Sequence, residues 1–301
     1  MSKTVKVIAG PTLKSAHPTG QRHFDDLRTV LRPERRPRPR FSRPGEYADL
    51  YRGGDPNSQF LNKRLEEIND LLAVMEGGYL LDVGCGPGIL LEHFAQGRFA
   101  LFGLDRSHEM ISEAARIASR QPGLTVGEVE RLPYRDGCFD IILALGVLEY
   151  VVDLESAFAE IARVAKPGGK VVISMLNHES WYWLWFRHVY QYAKFAKSIT
   201  NGKSHLPAMP ILYDRAHLEA VMQKNGLEPT HLSYYNVNVC IEPISSRFPR
   251  MACWINSRLE RFARTVFSRL INTGFLISAT CHYVDSGGLS ALSCPSPTQW
   301  I

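Results

Sequence analysis

The residue types best suited to chemistry gather in two short stretches. Residues 79–92 read Y-L-L-D-V-G-C-G-P-G-I-L-L-E, so Gly84, Gly86 and Gly88 alternate between two apolar runs and Asp82 stands two places ahead of them. This is the pattern of a buried strand, a tight turn and the start of a helix. Glycine is needed in such a turn because it reaches backbone angles closed to residues with a Cβ, and because a ligand can then lie against the main chain. Amides at the start of the following helix suit an anionic or polar group. A second apolar strand, 100–104, ends in Asp105, 17 residues beyond Gly88. That is close to the spacing of about 20 at which a carboxylate meets ribose hydroxyls in dinucleotide folds.

The elements that must hold these residues follow from periodicity. Apolar spacing at Phe60, Leu61, Leu65, Ile68, Leu71, Leu72 and Met75 predicts a helix over 60–75, with Asn57 and Ser58 as caps. Strands are predicted at 79–83, 100–104, 123–128, 139–145 and 171–175. The helix between the second and third, 107–119, turns Met110, Ile111, Ala114, Ala115 and Ala118 inward. Another covers 154–165 and is stopped by K-P-G-G at 166–169. Residues 139–145 are almost wholly apolar, as in a strand covered on both faces. This alternation predicts parallel β-α-β units and an α/β doubly wound sheet. Beyond it come a helix at 213–225, a strand at 227–236 and a last strand at 274–283. Between these two strands, 251–271 carries Met251, Ile255, Leu259, Phe262, Val266 and Leu270 at helical spacing, with Arg250, Arg258, Arg261 and Arg264 mostly on the other side.

Bulk properties narrow the class. With 301 residues, 45% apolar and 22% charged, the chain fits one domain with appendages. Six scattered cysteines without a C-x-x-C pair or a leading secretory signal suit free thiols in a reducing cytoplasmic compartment. No apolar run approaches the roughly 20 residues of a membrane span. The formal charge of +5 is uneven: residues 1–45 hold eleven Lys and Arg against three Asp and Glu, which is +8 and leaves −3 for the rest. This Arg/Pro-rich leader reads as flexible, either a solvated segment or one drawn to anionic membrane or nucleic acid.

The glycines are not in the G-x-G-x-x-G order of dinucleotide folds. With Asp82 they resemble the D-x-G-x-G-x-G motif of the class I S-adenosylmethionine (SAM) dependent methyltransferases, and more narrowly the group that includes the ubiquinone and menaquinone biosynthesis enzymes. The resemblance implies a seven-stranded, mostly parallel sheet whose last strand is antiparallel. It implies a domain over 46–284, with helical insertions at 178–212 and 243–273, between the leader and a tail at 285–301. It also implies SAM as cofactor, its methionine part against Gly84, Gly86 and Gly88 with Asp82 near the amino group, and its ribose on Asp105. Met110 would cover the adenine. Glu128 and Val129 follow Gly127 where the family usually has G-D-A, and Glu keeps the carboxylate one methylene further out. Tyr47 and Tyr51 stand where similar enzymes close tyrosines over SAM, or else serve the core.

In this family the stretch after the fourth strand, L-G-V-L-E-Y-V from Leu145, faces both SAM and acceptor. Relatives that methylate quinone precursors show E-V-V-E-H-V there, and the two Glu and the His hold a metal. Here Gly146, Glu149 and Tyr150 keep one ligand of three, so no metal is expected. Glu149 and Tyr150 are candidates for positioning or base chemistry, Glu149 alternatively a carboxylate at a helix start. His178, after the fifth strand, is a base candidate because imidazole titrates near neutrality, or a surface histidine. Asn177 is a candidate acceptor contact and His108 is structural.

Residues 181–195, W-Y-W-L-W-F-R-H-V-Y-Q-Y-A-K-F, mix aromatic and basic side chains. They read either as a membrane-surface contact over 181–197 or as a cap that packs its rings on the domain, and both imply a lipophilic acceptor. The basic stretch 251–271 fits either reading, or a dimer surface. The sequence therefore predicts a SAM-dependent methyltransferase acting on a lipophilic small molecule, with O-methylation first and C- or N-methylation of a similar acceptor next. A nucleic-acid or protein methyltransferase recruited by the leader is the reading from another class. No nucleic acid is expected as a partner, since no [D/N]-P-P-[Y/F] follows the fourth strand.

Overall fold

A computed structural model describes residues 55–190 and 211–282 apart from 152, 264 and 266, together with 44, 45, 49 and 53. The expectations for the leader, for Tyr47 and Tyr51, for 191–210 and for the tail lie outside these residues. Seven strands form one sheet in the order β3-β2-β1-β4-β5-β7-β6: β1 Gly78–Val83, β2 Phe99–Asp105, β3 Gly123–Val126, β4 Phe139–Leu145, β5 Ala165–Leu176, β6 Leu227–Val237 and β7 Asn272–Cys281. The first five run parallel, and β7 is antiparallel to both β5 and β6. This is the predicted doubly wound sheet with its reversed last strand.

Successive strand residues divide between two cores, as a period of two requires. Leu81, Val83, Ile142, Ala144, Val171 and Ile173 pack on one side with Phe158 and Ile161 of helix α4 (Leu154–Val164). Leu80, Ile141, Leu143 and Val172 pack on the other with Ile68 and Leu72 of helix α1 (Pro56–Leu72). Both faces are covered, so the strands read as continuous apolar runs. Two further helices, α2 (Ile89–His93) and α3 (His108–Ile117), follow β1 and β2. Caps fix the entries of three helices: Asp55, Ser107 and Asp153 accept from the amides of Ser58, Met110 and Ser156 at 2.9, 3.2 and 3.1 Å.

Several local expectations are corrected. Helix α1 is capped by Asp55, with Pro56 in its first turn, instead of by Asn57 or Ser58. Ala115 is exposed, because the buried stripe of α3 is only Met110 and Ala114. K-P-G-G does not separate helix from strand: β5 begins at Ala165, and a register shift between Phe139 and Ile141 absorbs the extra residues as a bulge. Residues 251–271 are not one helix. After β6 come α7 (Ile244–Arg247) and α8 (Pro249–Leu259), then a 3-10 turn at Glu260–Phe262 and α9 (Ser268–Ile271). Met251, Phe262 and Leu270 of its apolar spacing are 45%, 39% and 52% exposed. The side of α8 that is buried carries Ala252 and Asn256.

Candidate active site

Strands β1, β2, β4 and β5 end together at one edge of the sheet, where ligands bind in open α/β sheets. The turn after β1 is tied to β2: the Gly84 and Cys85 amides donate to the Leu104 carbonyl at 2.7 and 2.9 Å. Gly84 has φ +75°, and a Cβ there would come within 2.6 Å of the Val147 side chain, so the turn admits no larger residue. Gly86 and Gly88 also have positive φ. The Gly86 amide donates to Asp105 Oδ2 at 2.9 Å, and the Ser107 amide donates to Oδ1 at 2.9 Å. Asp105 therefore faces the glycine turn. Burial raises its pKa, and these amide bonds oppose the shift.

A small cleft, open to solvent, lies over this turn and is lined by Arg64, Asp82, Gly84, Cys85, Pro87, Ile89, Leu90 and Leu145. Asp82 is buried, and loss of hydration pushes its pKa up to about 7 while Arg64 pulls it down. Arg64 is the site residue that sequence reasoning missed. The signal was available: position 64 lies three residues after Leu61 and four before Ile68, on the inward stripe of α1, and a cation there is 6% exposed. Gly146 makes room for it. A Cβ at Gly146 would stand 3.0 Å from Arg64 Nη1 and 3.6 Å from Glu149 Oε2.

Glu149 sits in a 3-10 turn, Leu148–Tyr150, and is buried. Its Oε1 accepts from the Leu176 amide at the end of β5 at 2.9 Å. Burial pushes its pKa up to about 7, against the amide and Arg64. The Ile211 amide donates to the Glu149 carbonyl at 3.1 Å, so the end of the 178–212 insertion returns beside it. Tyr150 is half-buried on the same turn, and His178 is half-buried just past Leu176. The structure thus brings Glu149 and the end of β5 together. Asn177 is buried, and its amide donates to the carbonyls of Arg269 and Asn272 at 2.7 and 2.8 Å, tying the two insertions together.

The remaining candidates lie around the second and third strands. Met110 is buried on α3, Glu128 is exposed, and Val129 packs in the core with Leu104 and Leu132. Among the described residues, no three or more His, Cys, Asp or Glu gather as a metal site would require.

Sequence and fold comparisons meet this geometry. Residues 81–173 match the family model for a methyltransferase domain, which begins one residue before Asp82 and ends within β5. By that model these residues form a methyltransferase domain. Similar curated proteins include a ubiquinone biosynthesis O-methyltransferase of Thiobacillus denitrificans, 37% identical over 143 residues (43% of this chain, 60% of that one). A malonyl-[acyl-carrier protein] O-methyltransferase of Erwinia billingiae is 33% identical over 118 residues (38% and 45%). The chain thus spans 60% and 45% of the length of these two relatives. In fold it is similar to a chain of a Haloferax volcanii complex between a methyltransferase and its activator, with TM-score 0.52, 19% identity and coverage of 80% and 97%. The cofactor of this domain class is SAM, and the donor set suits it. The cleft offers a carboxylate for an ammonium at Asp82 and a guanidinium for a carboxylate at Arg64, and Asp105, bonded to the Gly86 amide of the same turn, offers a two-oxygen acceptor for a diol.

Proposed function

We propose that the chain is a SAM-dependent methyltransferase that modifies a lipophilic small molecule, with a hydroxyl oxygen as the methylated atom. The observation that carries this is the Asp105 carboxylate held at 2.9 Å from the Gly86 amide, over a cleft containing Asp82 and Arg64. When bound, SAM would supply an electrophilic methyl on a sulfonium, so that an acceptor oxygen gains the methyl in line as the S–CH3 bond breaks, S-adenosylhomocysteine leaves and the hydroxyl proton passes to a base. Asp105 would accept from the ribose hydroxyls, Asp82 would meet the amino group and Arg64 the carboxylate. Gly84, Gly86 and Gly88 would let the methionine part lie against the backbone, Leu145 lines the cleft, and Met110 with the Glu128–Val129 stretch would border the adenine. Glu149 holds or takes the acceptor proton: its Oε1 is engaged by Leu176, and burial puts its titration near neutrality. Tyr150 and His178 flank it on the acceptor side.

The choice of acceptor rests on the insertion after β5. In α5 (Trp181–Trp185) and the π-turn that follows it, Phe186–Tyr190, the rings of Tyr182, Trp183, Phe186 and Tyr190 lie 5.4 to 6.3 Å apart in one cluster. The Trp183 and Trp185 indoles donate to the carbonyls of Thr273 and Glu242 at 3.0 and 2.9 Å. These bonds favour the cap over the membrane contact for 181–190; residues 191–197 lie outside the described ones. An aromatic cap at the acceptor side excludes water and suits an apolar substrate. The curated relatives named as O-methyltransferases support oxygen as the target. No described helix is long and apolar enough to cross a membrane, and a cytoplasmic site of action goes with this reading.

Calorimetry with SAM and S-adenosylhomocysteine tests the cofactor. Binding is expected, and Asp105→Ala should weaken it roughly 100-fold, as loss of charge-assisted hydrogen bonds worth about 3 kcal/mol would. Absence of binding to the folded wild type overturns the proposal. Methyl-labelled SAM with phenols, polyketides, glycolipids and fatty acids, read by mass spectrometry, then identifies the acceptor atom.

A further inference from the structure

The outward face of α8 is the part of the molecule whose composition the methyl-transfer site does not use. Met251, Trp254, Arg258 and Arg261 follow at intervals of three, four and three residues, so they lie along one side of α8 and the 3-10 turn after it. Phe248 precedes the helix. Phe248, Met251 and Trp254 are 55%, 45% and 62% exposed, while the opposite side of α8 is anchored by fully buried Ala252 and Asn256. The Asn256 amide donates to Asn238 Oδ1 at 3.2 Å and its Oδ1 accepts from the Val239 amide at 3.2 Å. This bonding fixes the rotation of the helix, so the large apolar side chains are held outward by the fold. Guanidinium groups lie over the exposed rings: Arg247 at 5.9 Å from the centre of Phe248, Arg258 at 5.5 Å from Trp254 and Arg261 at 5.1 Å from Phe262.

We propose that this face docks on an anionic phospholipid surface. Aromatic and methionine side chains interleaved with arginines match the boundary between headgroups and acyl chains, where rings enter and cations meet lipid phosphates. Charge decides against a second copy of the chain. Residues 244–271 carry six arginines and one glutamate, so a two-fold contact would set like charges against each other. Exposed Phe248, Met251 and Trp254 decide against a purely phosphate-directed partner such as duplex nucleic acid, whose backbone offers no apolar phase to receive them. The face also sits well for a lipophilic acceptor. Strand β6 is antiparallel to β7, which is antiparallel to β5, so β6 ends at the same edge as the cleft and α8 follows from that edge. The proposal stands on this surface alone and does not depend on methyl transfer.

Flotation of the full chain with vesicles tests it. Binding is expected to vesicles of equal phosphatidylcholine and phosphatidylglycerol, to be much weaker with phosphatidylcholine alone, and to fall in 0.5 M salt. Arg258→Gln with Arg261→Gln should weaken partitioning on the order of 30-fold, from about 1 kcal/mol per basic residue near the surface. Trp254→Ser, at an exposed position, should weaken it about tenfold with an unchanged circular dichroism spectrum. Equal binding by wild type and both variants would assign the attraction to the basic leader and overturn the proposal. So would failure of the wild type to float, a concentration-dependent dimer abolished by Trp254→Ser, or oligonucleotide binding without vesicle binding.

Discussion

The buried carboxyls of Asp82 and Glu149 both feel the Arg64 guanidinium, and their balance has a measurable consequence. Glu149 is raised by burial from 4.5 to about 7. A carboxyl raised in the folded state keeps a proton that the unfolded chain gives up, so its contribution to stability is present below about pH 4 and is lost as pH rises through 7. Glu149→Gln keeps an acceptor for the Leu176 amide and removes the titration. Urea unfolding should therefore show the variant gaining on the wild type between pH 4.5 and 8, by up to about 3 kcal/mol at 1.36 kcal/mol per pKa unit. No gain would mean that Glu149 titrates at its ordinary value. The same turn bears on metals: Gly146 has no ligand atom, Tyr150 replaces an imidazole, and Arg64 approaches the position that Gly146 leaves open. Turnover is expected to survive EDTA, and loss of activity restored by added Mg2+ would show a metal requirement. At this scale the sequence gives up Asp82, Asp105 and the glycines readily, because one local motif and one spacing define them. Arg64 escapes, because an apolar stripe is read by its hydrophobic members and a cation lodged among them looks like noise.

Elements were legible where burial on both faces wrote continuous apolar runs, so β4 (Phe139–Leu145) has the bounds its composition predicts. The polar side chains that fasten the connections were not. The turn at 132–138 is fastened by Arg163, which donates to the Leu132 and Tyr134 carbonyls at 2.9 and 2.8 Å and pairs with Asp136 and Glu160 at 2.6 and 2.7 Å. Glu160 in turn accepts from the Leu132 amide at 2.7 Å. Arg163→Ala should cost about 2 kcal/mol in urea unfolding, more than an ordinary surface ion pair, because two carbonyls lose a charged donor. A cost below about 0.5 kcal/mol would reduce the cluster to surface pairing. The stretch 251–271 misled for a physical reason. Helical spacing of large apolar residues was read as one continuous helix, whereas α8 ends at Leu259 and is anchored by a small residue and an asparagine that no hydropathy pattern marks.

At the scale of the whole molecule the cofactor cleft and the stability of the fold are coupled. A ligand that binds only the folded chain adds about 2.7 kcal/mol at one hundred times its Kd. For a domain of this size that corresponds to a rise in Tm of roughly 5–10 °C. S-adenosylhomocysteine should produce such a rise in the wild type and little in Asp105→Ala at the same concentration; equal shifts would place binding elsewhere. The order of the sheet carries one more consequence. Strand β7 is synthesised last of the seven yet lies between β5 and β6. Until a ribosome has released residues 272–281, Val171, Val172, Ile173 and Met175 border an unfilled slot, and β6 has no backbone to pair with. A messenger cut short of codon 272 would consequently yield a sticky, chaperone-bound product even though every residue of the cofactor cleft had already been translated.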